Sequence, residues 1–390
     1  MKQPLNTADI KKRNQRLVLD AVFASGCTSR TELSRQLSLS KPAISDNLAA
    51  LLQAGIVEEA GESSASPVGG RKSILLHFNA DYRYIITANL NFSHPVFAVG
   101  NLGGEILKSL DISIPDGTPS SVCMQMVSGQ IARLLESLGE DAGKVFCIAV
   151  ASPGVFDADG HLVSFNRNCG GPAWWQVNLK AELESSFHLP VIIYNDVKAA
   201  ALGEWVYGAG REKQSLLYLS AGLGIGSGII LDGKMLVGER YNAGEIYDHV
   251  DSLNVLAGIN LEDTICIEHL KTQCLRIQDS PFAGQQDCSL KDIVQSYESG
   301  DPVVGKIVDQ ICRQLAILTF NYMNFLSISS VVFGGEYAPF GECYARHLQA
   351  LFSRTHRPRP CVRTAELGSY SGIHGMLYLA RQACFDQTCS

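Results

Sequence analysis

An Asn-Asp pair and a glycine-spaced turn are the parts of this sequence best suited to chemistry. Asn195 and Asp196 directly follow the apolar run VIIY. The turn has glycines at alternate positions, Gly222, Gly224 and Gly226. A carboxylate beside converging backbone N–H groups suits a site that orients and deprotonates a hydroxyl next to a phosphate. Two other interpretations stay open, because an Asn-Asp pair often caps a helix and alternating glycines also permit a tight turn.

The surrounding pattern predicts the elements that position these residues. The apolar run ends in the Asn-Asp pair, an alanine-rich helical stretch follows, and a second apolar run at 215–219 leads into the glycine turn. In a strand-helix-strand unit, ligands bind beyond the carboxyl ends of the strands. We therefore expect Asn195, Asp196 and the glycine turn to face one cleft.

Further polar segments are candidates for the walls of that cleft. A polar and aromatic loop carries Asn166, and the segment AGEIYDH carries Glu245 and His249. Glu268 lies at the start of a predicted helix. Pockets combine apolar walls with a few convergent polar groups, which is the mixture these loops supply. His249 is expected to be a hydrogen-bonded loop histidine.

Residues 1–78 predict a winged helix-turn-helix domain. Apolar residues recur at helical spacing over 9–24, the stretch TSRTELSRQLSLS predicts a short second helix, and a third begins at Ser40 and Pro42 and stops at Gly55. Residues 56–78 then predict two strands joined by a tip rich in Gly, Ser and Pro.

The expected DNA contacts come from the third helix and the wing. The helix is expected to present four polar side chains to the major groove: Lys41, Ser45, Asp46 and Asn47. Arg71 and Lys72 would reach the DNA backbone or the minor groove. Residues 1–78 hold 10 Lys and Arg against 7 Asp and Glu, whereas the remainder hold 22 against 32. A helical protein-protein module with a solvated charged face is the alternative.

Composition limits the class of protein. The 390 residues are 46% hydrophobic and 18% charged, as in a soluble globular protein of two or three domains. Because no run of about 18 apolar residues and no apolar signal segment occurs, we expect a cytoplasmic protein that does not bind membranes. The 12 cysteines form no C-x-x-C pair, which argues against a disulfide framework or a zinc ribbon.

The chain after residue 79 predicts an α/β domain. Strand-like runs from Tyr82 onward are followed by a helix near 120–138 and a strand KVFCIAVAS, a pattern typical of a mixed sheet with crossovers. A long helix at 303–325 is apolar on most faces, so we expect it inside the protein or at a subunit contact.

Five ordered motifs behind this domain resemble the regulator branch of the ROK family of repressors, open reading frames and sugar kinases. They are ASPGVFD (151–157), YNDVKAAALGE (194–204), SAGLGIGSGI (220–229), AGE (243–245) and VVFGGE (331–336). The resemblance covers nearly the whole chain and implies two actin-like, ribonuclease H-like α/β lobes around a cleft. It assigns 1–78 to the winged domain and 79–390 to the sugar-kinase-like domain. Within the latter, lobe one covers about 79–195 with helix 371–384, and lobe two about 196–370.

The resemblance also implies roles for the polar residues of the cleft. Asp196 matches the general base of the kinases. Residues matching sugar-hydroxyl ligands are Asn166, Asn195, Glu245 and Glu268. Carboxylates and amides suit this role because each accepts or donates several hydrogen bonds to a ring of hydroxyls. Gly222, Gly224 and Gly226 match a phosphate loop.

The sequence departs from the kinases at the positions that hold nucleotide and metal. Asn89-Leu90-Asn91-Phe92-Ser93 replaces the Asp-x-Gly-x-Thr hairpin, Ala221 replaces a threonine, and Glu336 replaces the last of three glycines. An added carboxylate would repel ATP. The family's zinc cluster is missing, with only Cys266 and an out-of-register His249 remaining. We therefore expect a degenerate phosphate loop, a vestigial base, no kinase activity, no metal and no cofactor.

These features together predict a sugar-responsive bacterial transcription repressor. Its partners would be double-stranded operator DNA and a sugar or sugar phosphate, and it would act as a homodimer or homotetramer to match two half-sites. One alternative is an ATP-dependent sugar kinase with an appended DNA-binding domain, favoured by Asp196 and disfavoured by Asn89 and Asn91. A DNA-binding scaffold that senses no ligand and is recruited by another protein is the other.

Overall fold

The chain forms a winged N-terminal domain followed by two α/β lobes. The structure, a computed structural model, describes residues 7–62, 73–91, 94–115, 117–165, 177–247, 249 and 260–389. Across these ranges, no helix combines the length and apolar composition that crossing a membrane requires. The predicted fold class is confirmed.

The N-terminal domain is a winged helix-turn-helix. It contains α1 (Thr7–Ser25), β1 (Cys27–Ser29), α2 (Arg30–Leu37), α3 (Lys41–Ala54), β2 (Val57–Glu62) and β3 (Ile74–Phe78). The strands pair antiparallel in the order β1-β3-β2. Helix α3 has the predicted boundaries because the Ser40 side chain accepts the Ala43 N–H and Gly55 ends the helix at φ 82°. Arg71 and Lys72 lie outside the described residues.

Lobe one is built on a mixed sheet with strand order β10-β7-β4-β5-β6. It contains β4 (Tyr84–Asn89), β5 (Val96–Asn101), β6 (Ile106–Asp111), α4 (Ser120–Ser137), β7 (Val145–Ser152), β8 (Val155–Phe156), β9 (Leu162–Ser164), α5 (Leu179–Phe187) and β10 (Val191–Asn195). Strands β4, β7 and β10 run parallel, so their carboxyl ends, including Asn89 and Asn195, meet at one edge.

Lobe two repeats this plan with strand order β13-β12-β11-β14-β15. It contains α6 (Asp196–Val206), β11 (Leu216–Ala221), β12 (Ile225–Leu231), β13 (Lys234–Met235), α7 (Leu261–Ile265), α8 (Ile267–Arg276), α9 (Leu290–Glu298), α10 (Pro302–Leu326), β14 (Ser330–Gly334), α11 (Gly341–Phe352) and β15 (Cys361–Thr364). Helix α10 buries one face in the core of lobe two, whereas Ile317 and Phe325 on its other side are exposed.

Helices α6 and α12 (Ser371–Thr388) join the two lobes. Their backbones approach so closely that a Cβ on Gly375 would lie 1.8 Å from the Ala199 carbonyl oxygen, and one on Gly203 would lie 2.0 Å from that of Ser371. Only glycine permits this contact. The fully buried Glu204 carboxylate strengthens the junction by accepting the Ser371 hydroxyl at 2.8 Å.

Helix α12 also supports the DNA-binding domain. One apolar core continues from α1 and α3 through lobe one to α12. Phe23 and Phe78 of the winged domain form edge-to-face contacts with Phe385 on α12. Arg16 adds hydrogen bonds to Gln382 and Asp386. The predicted boundary between residues 78 and 79 follows the end of β3, but the core runs across it.

Candidate functional site

A cavity of about 420 Å³ lies in the cleft between the lobes. Polar residues from separate segments line it: Asn89, Asn91, Asn195, Asp196, Glu245, Glu262 and Glu336. The turn 223–227 completes one wall. We call Asn195, Asp196 and Glu245 the α6 half of the cleft, and residues 222–226 with Glu336 the glycine-turn half. The structure therefore brings Asn195, Asp196 and the glycine turn into one cleft, as expected from their sequence positions.

Asn195 both caps α6 and lines the cavity. Its Oδ1 accepts the Lys198 N–H at 2.9 Å, and its Nδ2 donates to the Gly154 carbonyl oxygen at 2.9 Å. It is 7% exposed. The capping interpretation is therefore confirmed, and the same bonds hold the β10–α6 junction at the floor of the cleft.

Asp196 is the first residue of α6 and faces the cavity. Its Oδ1 accepts the Val197 N–H at 2.9 Å. Burial raises the pKa of Asp196 to about 7, and the negative charges of Glu245 and Glu336 act in the same direction. The group can thus be a neutral acid or a carboxylate near neutral pH, which lets it donate or accept a hydrogen bond.

Glu245 is held at the cavity by a buried lysine. Its Oε1 lies 3.6 Å from Lys198 Nζ, and the lysine side chain is 3% exposed. Lys198 Nζ also donates to the Tyr241 carbonyl oxygen at 2.6 Å. Burial lowers the pKa of Lys198, and Glu245 opposes that shift. These contacts tie the Glu245 loop to α6, so the predicted pair of Asp196 and Glu245 is brought together.

The prediction for Glu268 disagrees with its position. Its side chain is 76% exposed, lies outside the cavity lining and faces Lys271 at 3.7 Å. Helix α8 buries Ile267 and Leu270, and this phase turns Glu268 to the surface.

Glu262 on α7 is the carboxylate that lines the cavity instead. It is 8% exposed, and its Oε1 accepts the Ile225 N–H at 2.9 Å. Its burial beside Leu261 and Ile265 depends on how α7 docks, which the sequence pattern did not reveal.

The carboxyl group of Glu336, which follows the carboxyl end of β14, lies against the glycine turn. Glu336 Oε2 accepts the Leu223 N–H at 3.3 Å. A Cβ on Gly222 would lie 2.0 Å from that same oxygen, so the carboxylate occupies the space that the glycine leaves open. Gly226 has another role, since a Cβ there would lie 3.0 Å from the Val197 side chain on α6. Burial raises the pKa of Glu336. The turn thus serves close packing, and the group that accepts its Leu223 N–H is the chain's own carboxyl group.

The replaced hairpin supplies two amide side chains to the cavity. Asn89 ends β4, and its Nδ2 donates to the Ser369 carbonyl oxygen at 3.4 Å. The Oδ1 atoms of Asn89 and Asn91 are buried and accept no hydrogen bond within the described part of the chain. Phe92 and Ser93 lie outside the described residues.

Two other predicted residues have different outcomes. Asn166 lies outside the described residues, so its sugar contact stays a prediction. His249 Nδ1 lies 3.0 Å from the Tyr322 hydroxyl, which confirms the prediction of a hydrogen-bonded loop histidine.

Helix α3 presents one polar face to solvent. Lys41, Ser45 and Asp46 are exposed on that face, as predicted for a helix that enters the major groove. Asn47 is instead 6% exposed, and its Nδ2 donates to the Ala43 carbonyl oxygen at 2.7 Å. It belongs to the buried stripe of the helix with Ile44 and Leu48. The prediction that Asn47 contacts DNA is therefore corrected, because the side chain points into the domain.

A chain of contacts connects the cleft with the winged domain. Tyr207 follows α6, and its hydroxyl accepts a hydrogen bond from Arg381 Nη1 on α12 at 2.7 Å. The Arg381 guanidinium lies 4.2 Å from the ring centroid of Phe23 on α1. Arg381 is 3% exposed. Arg381 therefore links the end of α6 with α1 through one buried side chain.

Comparisons with sequence families agree with both parts of the chain. The ROK family model matches residues 93–383. A bacterial regulatory protein model, that of the arsR family, matches residues 14–59.

Individual relatives match most of the chain. The xylose repressor of Caldicellulosiruptor bescii is 24% identical over 365 residues, covering 88% of both chains. The Escherichia coli K12 regulator NagC is 21% identical over 336 residues, covering 84% of this chain and 81% of its own.

Solved structures show the same fold. A ROK family transcriptional regulator homologous to the E. coli MLC protein has a TM-score of 0.80 at 22% identity, covering 97% of this chain and 98% of that one. A Streptomyces griseus ROK glucokinase in complex with glucose and AMPPNP has a TM-score of 0.66 at 22% identity, covering 77% of this chain and 99% of that one.

Proposed function

This chain belongs to the ROK family, and from that premise we propose that it is a transcriptional repressor that binds operator DNA and responds to a sugar. The observation that carries the proposal is the joining of two parts in one molecule. Helix α3, with its exposed polar face, belongs to a domain whose core continues into α12. Helix α12 in turn packs against α6, which begins at Asp196. Relatives named as xylose and N-acetylglucosamine repressors match 88% and 84% of this chain.

The effector is a sugar or sugar phosphate bound in the α6 half of the cleft. Asp196 and Glu245 accept or donate hydrogen bonds to its hydroxyls, with Glu262 in place of Glu268 and with Asn166 from its loop. Asn195 holds the floor and lines the cavity. A pyranose presents a ring of hydroxyls, and each carboxyl or amide group of the cavity can form several hydrogen bonds with them, which favours such a ligand.

The signal passes along α6 and α12 to the winged domain. A sugar that prefers one closure of the lobes shifts α6, and the Tyr207–Arg381–Phe23 contacts carry that shift to α1. The ligand alters operator affinity only as far as it prefers one state. Two copies of the chain are required to match two half-sites, so the active form is a homodimer or homotetramer.

Operator contacts come from the exposed face of α3 and from the wing. Lys41 and Ser45 face the major groove, and Arg71 and Lys72 of the wing contact the backbone or the minor groove. Asn47 is left out because it is buried.

Kinase activity is not part of this proposal. Glu336 already accepts a backbone N–H of the glycine turn, where a nucleotide phosphate would bind. Asn89 provides an amide where a carboxylate would hold Mg²⁺. Phosphoryl transfer depends on positioning and charge neutralisation, so both changes oppose it.

The test is operator selection followed by sugar titration. Genomic fragments are selected by gel shift at moderate salt, and the bound fragment is titrated with xylose, hexoses, N-acetylhexosamines and their phosphates. We expect selective binding that one sugar weakens. Lys41→Ala should weaken operator binding about 10-fold, whereas Lys291→Ala, an exposed lysine of α9, should not. The absence of any selective fragment would refute the proposal.

A further inference from the structure

A second cluster of ionisable side chains lies away from the cleft, between α10 and α11. Asp309 comes from α10, and Cys343 and His347 come from α11. The His347 Nε2 and Cys343 Sγ atoms lie 2.8 Å and 3.8 Å from Asp309 Oδ1. All three candidate donor atoms lie within 4.8 Å of one another. An imidazole, a thiol and a carboxylate thus converge on one point.

The spacing of these residues suits a metal site on paired helices. Cys343 and His347 are one turn apart, so both project from the same face of α11. The ligands of a tetrahedral zinc ion lie roughly 3.3–3.8 Å apart, given its bond lengths to S, N and O. The sulfur-to-oxygen distance of 3.8 Å already matches. The histidine contact needs to open by only about 0.5 Å, since the metal would replace that hydrogen bond.

A second thiol lies beside this cluster. Cys312 lies one turn after Asp309 on α10, and its thiol donates to the Phe340 carbonyl oxygen just before α11. Both cysteines are 1% exposed and neither forms a disulfide.

We propose that Asp309, Cys343 and His347 bind a transition-metal ion, most favourably zinc, with a water in the fourth position. A mixed set of S, N and O donors suits zinc better than Mg²⁺ or Ca²⁺, which prefer oxygen. The charges balance, because Asp309 and Cys343 supply two anionic ligands to Zn²⁺ and His347 is a neutral one.

The ion would fasten the start of α11 to α10. Cys343 lies in the first turn of α11, directly after the segment that carries Glu336. The Cys312 thiol already donates to the Phe340 carbonyl oxygen at 3.8 Å in that segment. A metal here would therefore stabilise the segment that carries Glu336 in the glycine-turn half of the cleft. This position differs from that of the cysteine cluster that the family has and this sequence lacks.

The test uses reduced, tag-free, full-length protein that has been stripped of metal and titrated with Co²⁺ and then Zn²⁺. We expect one Co²⁺ per chain with a thiolate charge-transfer band and tetrahedral visible bands, which Zn²⁺ displaces. Cys343→Ser and His347→Gln should each weaken zinc binding by about 100-fold or more. Cys123→Ser, which removes a buried helical thiol of lobe one, is the matched control and should not.

Two results would overturn the proposal. One is a Co²⁺ spectrum without a thiolate band in the wild-type chain, which needs no variant and so does not depend on variant folding. The other is unchanged zinc affinity in both ligand variants, with circular dichroism showing that each is folded. Neither result bears on sugar or DNA binding.

Discussion

The α6 half of the cleft and its glycine-turn half place their carboxylates differently. Asp196 and Glu245 face the cavity, and the lysine that partners Glu245 is buried behind it. Glu336 instead lies against Gly222 and accepts the N–H of Leu223. The α6 half directs its acidic groups into the cavity, whereas in the glycine-turn half the carboxyl group of Glu336 occupies the turn itself.

In the function that we propose, this difference separates sensing from phosphoryl transfer. Asn89 offers an amide and Glu336 a carboxyl group on the side where the kinases that the sequence resembles hold phosphate. Asp196 and Glu245 lie on the side that we propose binds sugar hydroxyls. Sensing requires only differential binding of the sugar by two states of the protein, so the phosphate side can be lost without losing the response.

The largest expected effect is on the α6 half. Asp196→Ala removes a hydrogen-bonding group from the cavity and leaves its ligand hydroxyl unpaired. We expect sugar affinity to fall about 100-fold, as measured by calorimetry, with operator binding retained. Glu298→Ala, an exposed acid on α9, is the control. Wild-type sugar affinity in Asp196→Ala would place the sugar elsewhere.

The next effect concerns the connection between the cleft and the winged domain. Arg381→Lys keeps the charge but loses the planar group between Tyr207 and Phe23. We expect the sugar-induced change in operator affinity to shrink about 10-fold while sugar affinity stays near wild type. Arg211→Lys, in an exposed pair with Glu366, should leave the response intact. An unaltered response in Arg381→Lys would exclude this route.

Opening the glycine-turn half should have an effect of similar size, here a gain in nucleotide binding. Glu336→Gly removes both the charge and the volume from the turn, so binding of Mg·AMPPNP should rise about 10-fold from a barely measurable value. Glu336→Gln keeps the volume and should gain less. Turnover should remain absent in both, because Asn89 supplies no carboxylate for metal. Equal nucleotide binding in all three proteins would show that Glu336 does not fill the site.

The smallest effect is a change in the pH dependence of stability. Burial raises the pKa of Asp196 to about 7, so the folded chain binds more protons than the unfolded chain between about pH 4 and pH 7. Stability due to this group therefore falls as pH rises through that window. Asp196→Asn should remove this loss, so the free energy of unfolding of the variant relative to wild type should increase as pH rises from about 4 to about 8. Parallel profiles in denaturant titrations would contradict the raised pKa.

Sequence patterns predicted the elements, and the placing of Asn195, Asp196 and the glycine turn at one cleft, because these depend on local signals. Ser40 and Gly55 bound α3, and the strand-to-helix junction at Asn195 and Asp196 places both at a strand end. The exclusion of Asn47 from the DNA face was also readable in the sequence. It stands three residues after Ile44 and one before Leu48, within the buried stripe of the helix.

Other features depend on how distant segments dock, and no local pattern shows them. Glu262 and Glu268 both follow the Glu245 loop, and each lies in the first turn of a helix. Only the packing of α7 and α8 decides which of the two lines the cavity. The contact of Glu336 with Gly222 joins two strand ends far apart in the chain. The approach of Asp309 to Cys343 likewise requires the pairing of α10 with α11.

Calorimetric titration of one preparation with the effector sugar and with Mg·AMPPNP tests the contrast between the two halves most directly. We predict that the sugar binds with one site per chain without any nucleotide, and that Mg·AMPPNP gives no binding heat and leaves the sugar affinity unchanged. Tight nucleotide binding, or sugar binding that appears only when nucleotide is present, would contradict the account.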